Sequence, residues 1–88
     1  MAEERRSVVL YTTDPCGYCR RAKALLEARG IAFREVRLPR TAEGRARLAD
    51  VAPAARTFPV VVIDGVTIGG YADLVDWDRA GRLSVGAG

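Results

Sequence analysis

Apolar and polar residues alternate along the chain in patterns that change from one segment to the next. Residues 7–11 are short, apolar and β-branched, which predicts a buried strand. Residues 20–29 repeat apolar positions at helical spacing, and residues 31–38 alternate apolar and polar side chains as a half-buried strand does. This order of strand, helix and strand predicts a parallel crossover unit.

A second helix is predicted after the crossover unit. Thr41 is placed to cap it, because a threonine side chain accepts a hydrogen bond from the unpaired N–H groups of a helix start. The helix runs to about residue 50, and Gly44 weakens its first turns because glycine has a low helix propensity. A third helix is predicted over residues 71–80 and ends at Gly81.

A hairpin is predicted between these two helices. Residues 59–63 and 66–68 form its strands, because Asp64-Gly65 between them is the kind of two-residue turn that signals a hairpin. Gly69-Gly70 then ends the second strand, and residues 84–88 are expected to form a frayed tail. The predicted order of elements is β-α-β-α-β-β-α.

Length and charge narrow the class of protein. We expect one domain over residues 1–88, with a core over about 7–83, and 49% hydrophobic residues are enough to build it. The net charge of +3 comes from 14 basic and 11 acidic residues that are interspersed, so no nucleic-acid stripe is present. Residues 1–6 lack the apolar region of a signal peptide, and no run reaches membrane-spanning length. We therefore expect a cytoplasmic protein with neither nucleic acid nor membrane as a partner.

Cys16 and Cys19, the only two cysteines, lie between the first strand and the first helix. With Cys16 at or just before the first helical turn, its sulfur faces unpaired N–H groups and the positive end of the helix dipole. We expect these to lower the pKa of Cys16 below the value of about 8.5 for a free thiol. Cys19 lies one turn further along the same face, within reach of a disulfide. The pair predicts thiol–disulfide exchange.

Three structural alternatives compete with this redox role. A disulfide that only stabilises is disfavoured by the short loop, because the entropic gain grows with loop length. A structural zinc site normally needs four thiolate or imidazole ligands, and with two cysteines and no histidine only a dimer completes one. Two inert buried cysteines fit poorly with Pro15, Gly17 and Tyr18, because turn residues expose the start of the helix. We assign no metal ligands.

Pro59 stands at the first position of the third predicted strand, the place inside a sheet where a residue without an N–H is tolerated. One interpretation is the ordinary start of a strand. The other is a cis peptide between Phe58 and Pro59, which would turn the backbone of Phe58 outward to pair with an extended peptide. The sequence leaves both interpretations open.

Four segments together resemble the glutaredoxins, small members of the thioredoxin-fold family, over about residues 7–83. They are Tyr11-Thr12, Cys16-Gly17-Tyr18-Cys19, Thr57-Phe58-Pro59 and Gly69-Gly70-Tyr71-Ala72-Asp73. Thioredoxins and disulfide isomerases share the CxxC pair, but they usually carry a tryptophan just before it and lack the Gly-Gly-x-x-Asp segment. The resemblance implies an α/β, thioredoxin-like fold with a four-stranded mixed β-sheet flanked by three α-helices.

The resemblance also implies a role for each site residue. Cys16 would be the attacking thiol and Cys19 the resolving thiol. The residues that would bind glutathione are Tyr18, Arg45, Thr57, Phe58, Pro59, Gly70, Ala72 and Asp73.

Within this set, Tyr18 would form one wall of the glutathione groove, and the backbone of Phe58 would pair with the cysteinyl unit. Asp73 would hold the amino group of the γ-glutamyl end, while the N–H groups at Ala72 and Asp73 would hold its carboxylate. Arg45 corresponds to the basic or amide residue that contacts the glycine carboxylate.

The chain departs from the family pattern at three positions. Thr13 stands where many glutaredoxins carry a lysine that helps to bind glutathione and to stabilise the thiolate. Ala72 replaces a common aspartate or serine, which leaves only a backbone donor there. Gly17 replaces the frequent proline, as it also does in mycoredoxin-like relatives that serve mycothiol.

As a member of this family, the protein would be a glutathione-dependent dithiol–disulfide oxidoreductase without a tightly bound cofactor. Its partners would be glutathione or another low-molecular-weight thiol and disulfide-containing clients such as ribonucleotide reductase, and we expect a monomer. One alternative is an NrdH-like or mycoredoxin-like redoxin reduced by thioredoxin reductase or mycothiol. Another is a dimer that holds a [2Fe–2S] cluster through Cys16 and two glutathione thiolates.

Overall fold

The computed structural model describes residues 7–83, so the tail predicted at residues 84–88 and the charged residues 1–6 lie outside the described part. Its elements are β1 (Val8–Thr12), α1 (Gly17–Ala28), β2 (Arg34–Arg37), α2 (Ala42–Val51), β3 (Val60–Ile63), β4 (Val66–Gly69) and α3 (Tyr71–Arg79). The predicted order of elements is confirmed. Across residues 7–83, no helix combines the length and the apolar character needed to cross a membrane.

The strands form one mixed sheet in the order β2-β1-β3-β4. β1 runs parallel to β2, with Leu10 opposite Glu35, which confirms the predicted crossover. β1 runs antiparallel to β3, with Leu10 opposite Val61, and β3 runs antiparallel to β4. β1, the strand that leads into the cysteine pair, is therefore hydrogen-bonded to a neighbouring strand on each side.

Side chains from the two faces of the sheet build two cores. The core on the side of α1 and α3 contains Val8, Leu10, Ala22, Leu26, Val61, Ile63, Leu74 and Leu83. The core on the side of α2 contains Leu38, Leu48, Ala52 and Val60. Neighbouring residues of β3 alternate between the two cores, as the period of a strand requires. The helices thus cover the sheet from both sides, α1 and α3 on one face and α2 on the other.

The hairpin turn has the predicted geometry. Asp64 and Gly65 both have positive φ, 53° and 82°, as the two central residues of a type I′ turn do. The Asp64 N–H also donates to the Ser7 carbonyl at 2.7 Å, and Asp64 Oδ1 accepts the Ser7 N–H at 2.9 Å. The turn therefore also fastens the chain just before β1.

β2 is shorter than predicted, because the residues before it complete the end of α1. The Ile31 N–H donates to the Leu26 carbonyl at 2.9 Å, and the Gly30 N–H donates to the Glu27 carbonyl at 3.0 Å. Gly30 has φ of 69°, so this is the paired-bond cap that commonly ends a helix with a glycine. The predicted strand began too early because Ile31, its first residue, belongs to this cap.

The start of α2 confirms the capping role of Thr41, whose Oγ1 accepts the Gly44 N–H at 3.2 Å. The structure also explains Gly44, which the sequence treats only as a weak helix former. Gly44 is buried, and a Cβ atom there would overlap the Pro39 carbonyl oxygen and lie 2.9 Å from its carbonyl carbon. Glycine is therefore required by the close approach of the chain before the helix.

An ion pair joins the C-terminal ends of α1 and α3. Arg29 donates from two nitrogens to the two Asp78 carboxylate oxygens at 2.6 and 2.7 Å. The hydrogen bonds and the opposite charges raise the pKa of Arg29 and lower the pKa of Asp78. Close by, the Arg82 guanidinium lies 4.0 Å from the centre of the Trp77 ring. We refer to the Arg29–Asp78 contact as the helix-end pair.

A second charge cluster surrounds Glu35 on β2. Thr12 Oγ1 donates to Glu35 Oε2 at 2.6 Å, and Lys23 Nζ donates to the two carboxylate oxygens at 3.2 and 3.3 Å. Arg37 lies 3.6 Å from the same carboxylate. The hydrogen bond from Thr12 is the largest cause that lowers the pKa of Glu35, and the contacts with Lys23 and Arg37 act in the same direction. The buried Thr12 hydroxyl thereby has a hydrogen-bond partner.

We expect Glu35→Gln to reduce the acid sensitivity of the fold. A carboxylate whose pKa is lowered on folding stabilises the protein above its unfolded pKa of about 4.3, and this contribution is lost as the pH falls through the folded pKa. The free energy of unfolding in urea, measured at about pH 7 and about pH 3, should fall less in the variant than in the wild type. Asp50→Asn, on the exposed side of α2, should keep the wild-type fall. Equal falls in the wild type and in Glu35→Gln would contradict the expectation.

Candidate active site

Cys16 occupies the N-cap of α1, just before the first helical turn, as the sequence predicts. Its backbone is extended, with φ of −158° and ψ of 107°, and its Sγ accepts the Cys19 N–H at 3.1 Å. In the reduced protein, the same position places the sulfur against the unpaired N–H groups and the partial positive charge of the helix start. Both favour a thiolate over a thiol.

The two cysteines form a disulfide, and their Cα atoms lie 5.2 Å apart, within the ordinary range for such bonds. Their exposure differs: Cys16 is half-buried, whereas Cys19 is 2% exposed. A second molecule therefore reaches Cys16 first. The alternative of two inert buried cysteines therefore does not fit, because Cys16 is only half-buried.

The loop before Cys16 is tied to the segment that follows β2. Thr13 is buried, and its Oγ1 donates to the Leu38 carbonyl at 2.8 Å. Arg40 donates from Nη2 to the Pro15 carbonyl, and the Asp14–Pro15 peptide is cis. Thr13 therefore contributes a buried hydrogen bond to this loop and no charge.

A groove of about 760 Å³ opens beside the start of α1. Among its lining residues are seven of the eight predicted glutathione-binding residues, namely Tyr18, Thr57, Phe58, Pro59, Gly70, Ala72 and Asp73. The eighth, Arg45, lines an adjoining pocket of about 610 Å³ that shares Ala55, Arg56, Thr57 and Phe58 with the groove. Tyr18 belongs to the groove wall, whereas the two cysteines beside it in sequence do not.

The Phe58–Pro59 peptide is cis, which decides between the two interpretations of this segment. The Phe58 side chain packs against the core on the side of α2. Its carbonyl accepts a long hydrogen bond of 3.4 Å from Thr57 Oγ1, and within residues 7–83 its N–H has no hydrogen-bond partner. The backbone of Phe58 therefore has hydrogen-bonding capacity left for an extended ligand.

The Gly-Gly segment is built around Asp73. Asp73 Oδ2 accepts the Gly70 N–H at 3.0 Å, which is the half of a capping box that a glycine N-cap allows. Gly69 has φ of 125°, and a Cβ atom there would overlap the Asp73 carboxylate. Sequence reasoning assigned Asp73 only to a ligand and missed this cap, although its position three residues after the N-cap was the available signal.

The start of α3 also presents backbone donors to the groove. Gly70 is the N-cap, so the N–H groups of Ala72 and Asp73 belong to the first turn, where no carbonyl of the same helix can accept them. Ala72 is exposed and adds no polar side chain. Such a helix start is suited to an anion such as a carboxylate.

An aromatic contact links α1 to α3 across the site. Tyr18 is 57% exposed, yet its ring lies 5.7 Å from the Tyr71 ring and 5.4 Å from the Arg21 guanidinium. Tyr71 is half-buried and packs against the core on the side of α1 and α3. These contacts hold the groove wall in place. Sequence reasoning gave Tyr71 no role, and its aromatic side chain beside Gly70 was the only signal.

Several known proteins are similar to this chain in sequence or in structure. The family model described as Glutaredoxin matches residues 8–68. The glutaredoxin of Pseudomonas aeruginosa is 43% identical over 76 residues, which cover 86% of this chain and 89% of that protein.

Two solved structures are also similar. A solution structure of glutaredoxin from Brucella melitensis has 38% identity and a TM-score of 0.76, over 91% of this chain and 86% of that chain. A crystal structure of a buckwheat glutaredoxin–glutathione complex has 31% identity and a TM-score of 0.76, over 89% of this chain and 73% of that chain. The thioredoxin-like fold expected from the sequence is thereby confirmed.

Proposed function

Because this chain belongs to the glutaredoxin family of thiol–disulfide oxidoreductases, we propose that it uses glutathione to reduce protein disulfides and glutathione mixed disulfides. The observation that carries this proposal is the position of Cys16 at the N-cap of α1, with the buried Cys19 bonded behind it. The similarity to a glutaredoxin solved with glutathione supports the choice of reductant.

Reduction of a glutathione mixed disulfide needs only Cys16. Its thiolate attacks the glutathione sulfur, a Cys16–glutathione disulfide forms, and the bond to the client sulfur breaks. The client leaves as a thiolate and takes a proton from water. The thiolate of a second glutathione then attacks the bound glutathione sulfur, which releases glutathione disulfide and restores the Cys16 thiolate.

Reduction of a protein disulfide uses both cysteines. Cys16 attacks one client sulfur and forms a mixed disulfide, while the second client sulfur leaves as a thiolate. Cys19 then attacks the Cys16 sulfur, which frees the first client sulfur and forms the Cys16–Cys19 disulfide. Two glutathione molecules reduce this disulfide and become glutathione disulfide.

The groove beside Tyr18 holds glutathione in this proposal. The cysteinyl unit pairs with the backbone of Phe58, whose N–H has no partner within residues 7–83. The γ-glutamyl carboxylate meets the N–H groups of Ala72 and Asp73, and the Asp73 oxygen outside the cap meets the amino group. The glycine carboxylate points to Arg45 in the adjoining pocket.

A pair of this kind suits the cytoplasm, where thiol systems keep catalytic cysteines reduced. We place the enzyme there, as a single-domain monomer. Clients are proteins with accessible disulfides, ribonucleotide reductase being one example.

One observation favours a second candidate, a redoxin reduced by thioredoxin reductase or by mycothiol. Thr13 replaces the lysine that helps many glutaredoxins to bind glutathione, and it is buried and bonded to the Leu38 carbonyl. The site therefore lacks one cation for the ligand.

A coupled assay separates the two candidates. Oxidised protein, hydroxyethyl disulfide and NADPH are combined with glutathione and glutathione reductase, with thioredoxin reductase, or with mycothiol and its reductase. We expect NADPH consumption above the level of Cys16→Ser only with glutathione. Consumption restricted to another reductant would overturn glutathione as the electron donor.

A further inference from the structure

Three arginines surround the pocket that adjoins the active-site groove. It is lined by Arg40, Arg45, Leu48, Ala55, Arg56, Thr57 and Phe58, so no carboxylate belongs to its wall. We refer to it as the arginine pocket. Its apolar residues, Leu48, Ala55 and Phe58, offer a surface against which the methylene groups of a ligand can pack.

The positive charge of the arginine pocket is not compensated within residues 7–83. There, none of its three arginines forms an ion pair, whereas Lys23, Arg29 and Arg37 each pair with a carboxylate. Arg40 donates to the Pro15 carbonyl, an uncharged acceptor. Like charges gathered in one concave place create a positive potential that attracts anions.

We propose that the arginine pocket binds acidic side chains of client proteins, next to the client cysteine that Cys16 attacks. This inference rests on the proposed oxidoreductase function and names a class of client for it. The arginine pocket shares Ala55, Arg56, Thr57 and Phe58 with the groove, so a client chain that pairs with the Phe58 backbone passes directly beside it. An extended chain advances about 3.3 Å per residue, so the residues involved lie within a few positions of the client cysteine.

Charge and geometry favour a carboxylate as the group recognised. A guanidinium presents a planar fork of donors that matches a carboxylate with two parallel hydrogen bonds. Glutathione brings one carboxylate to this end of the site, to Arg45 in the proposed function. Arg40 lies outside the groove and Arg56 lines both the groove and the arginine pocket, so these two arginines can meet the side chains of a longer, acidic substrate.

The test uses the pre-reduced protein without glutathione, so that glutathione binding does not enter the measurement. Two disulfide peptides of equal length differ only in carrying aspartates or asparagines beside the cysteine. We expect the second-order rate constant of the wild type to be higher for the aspartate peptide and this advantage to shrink at high salt. The ratio of the two rate constants is the readout, because a loss of folded protein affects both equally.

Arg56→Glu should lower this ratio about tenfold, as expected when one charge-assisted contact is lost. Arg56→Lys keeps the charge and should retain most of the ratio. Arg47→Gln, an exposed position on α2 outside the arginine pocket, should keep the wild-type ratio.

The outcomes separate this inference from the proposed function. Reduction of hydroxyethyl disulfide together with equal rates for both peptides would overturn the acidic-client pocket and leave the oxidoreductase intact. A ratio that survives Arg56→Glu would also overturn it. Failure to reduce any disulfide, the small one included, would overturn both.

Discussion

Replacing Cys16 by serine should reduce turnover to the uncatalysed rate with every disulfide, whereas Cys19→Ser should lose most protein-disulfide reduction and keep reduction of glutathione mixed disulfides. A serine hydroxyl is not ionised near neutral pH, so without the Cys16 sulfur no nucleophile stands at the helix start. Without Cys19, a mixed disulfide with glutathione is still resolved by a second glutathione. The measurement is NADPH consumption coupled to glutathione reductase, with a glutathionylated peptide and with insulin as substrates.

The two variants control for each other, because the same chemical change is made three residues apart. A Cys19→Ser protein that is inactive with both substrates would contradict the assignment of Cys19 as the resolving thiol. A Cys16→Ser protein that still reduces the glutathionylated peptide would move the attack to Cys19. Thermal unfolding of both variants is the control that checks whether each remains folded.

Gly44→Ala should destabilise the protein by about 1–3 kcal/mol, the usual cost of forcing extra atoms into a packed site. The sign is informative, because alanine in place of glycine inside a helix normally stabilises it by about 1 kcal/mol. At Gly44 the new Cβ meets the Pro39 carbonyl group, which is backbone and cannot turn aside as a side chain would. The free energy of unfolding of the oxidised protein in urea gives the value.

Gly17→Ala is the matched control for this prediction. Gly17 is also helical, at the start of α1, but a Cβ atom there would meet nothing within 4 Å. We expect this variant to be as stable as the wild type or slightly more stable. If Gly44→Ala gains stability in the same way, the close approach to Pro39 does not limit this position.

The sequence predicts features of the fold that are encoded by neighbouring residues. The helix cap at Thr41, the turn at Asp64-Gly65 and the order of strands and helices all follow from short patterns, and all are confirmed. The close approach of Pro39 to Gly44 does not follow in this way, because it depends on the path of the loop. Helix propensity therefore predicts that alanine at position 44 stabilises the protein, whereas the contact with Pro39 predicts that it destabilises the protein.

In the candidate site, too, features formed by neighbouring residues could be predicted and features that join distant segments could not. The cysteine pair could be located because Cys16, Cys19 and the helix they open are adjacent in the sequence. The ring contact between Tyr18 and Tyr71 and the hydrogen bond from Arg40 to Pro15 join distant parts of the chain, so no local pattern announces them. The predicted ligand residue Arg45 lines the arginine pocket rather than the groove, and this placement depends on how α2 packs on the sheet, which no local pattern gives.

The helix-end pair has a consequence for how the site receives a ligand. α1 and α3 both start at the active site, and Arg29 and Asp78 clasp them at their far ends with two short hydrogen bonds, the geometry in which an exposed ion pair contributes most. With Tyr18 against Tyr71 at the near ends, α1 and α3 are joined at both of their ends. Contacts already present in the free protein need not form on binding, which lowers the free-energy cost of ordering the site around a ligand.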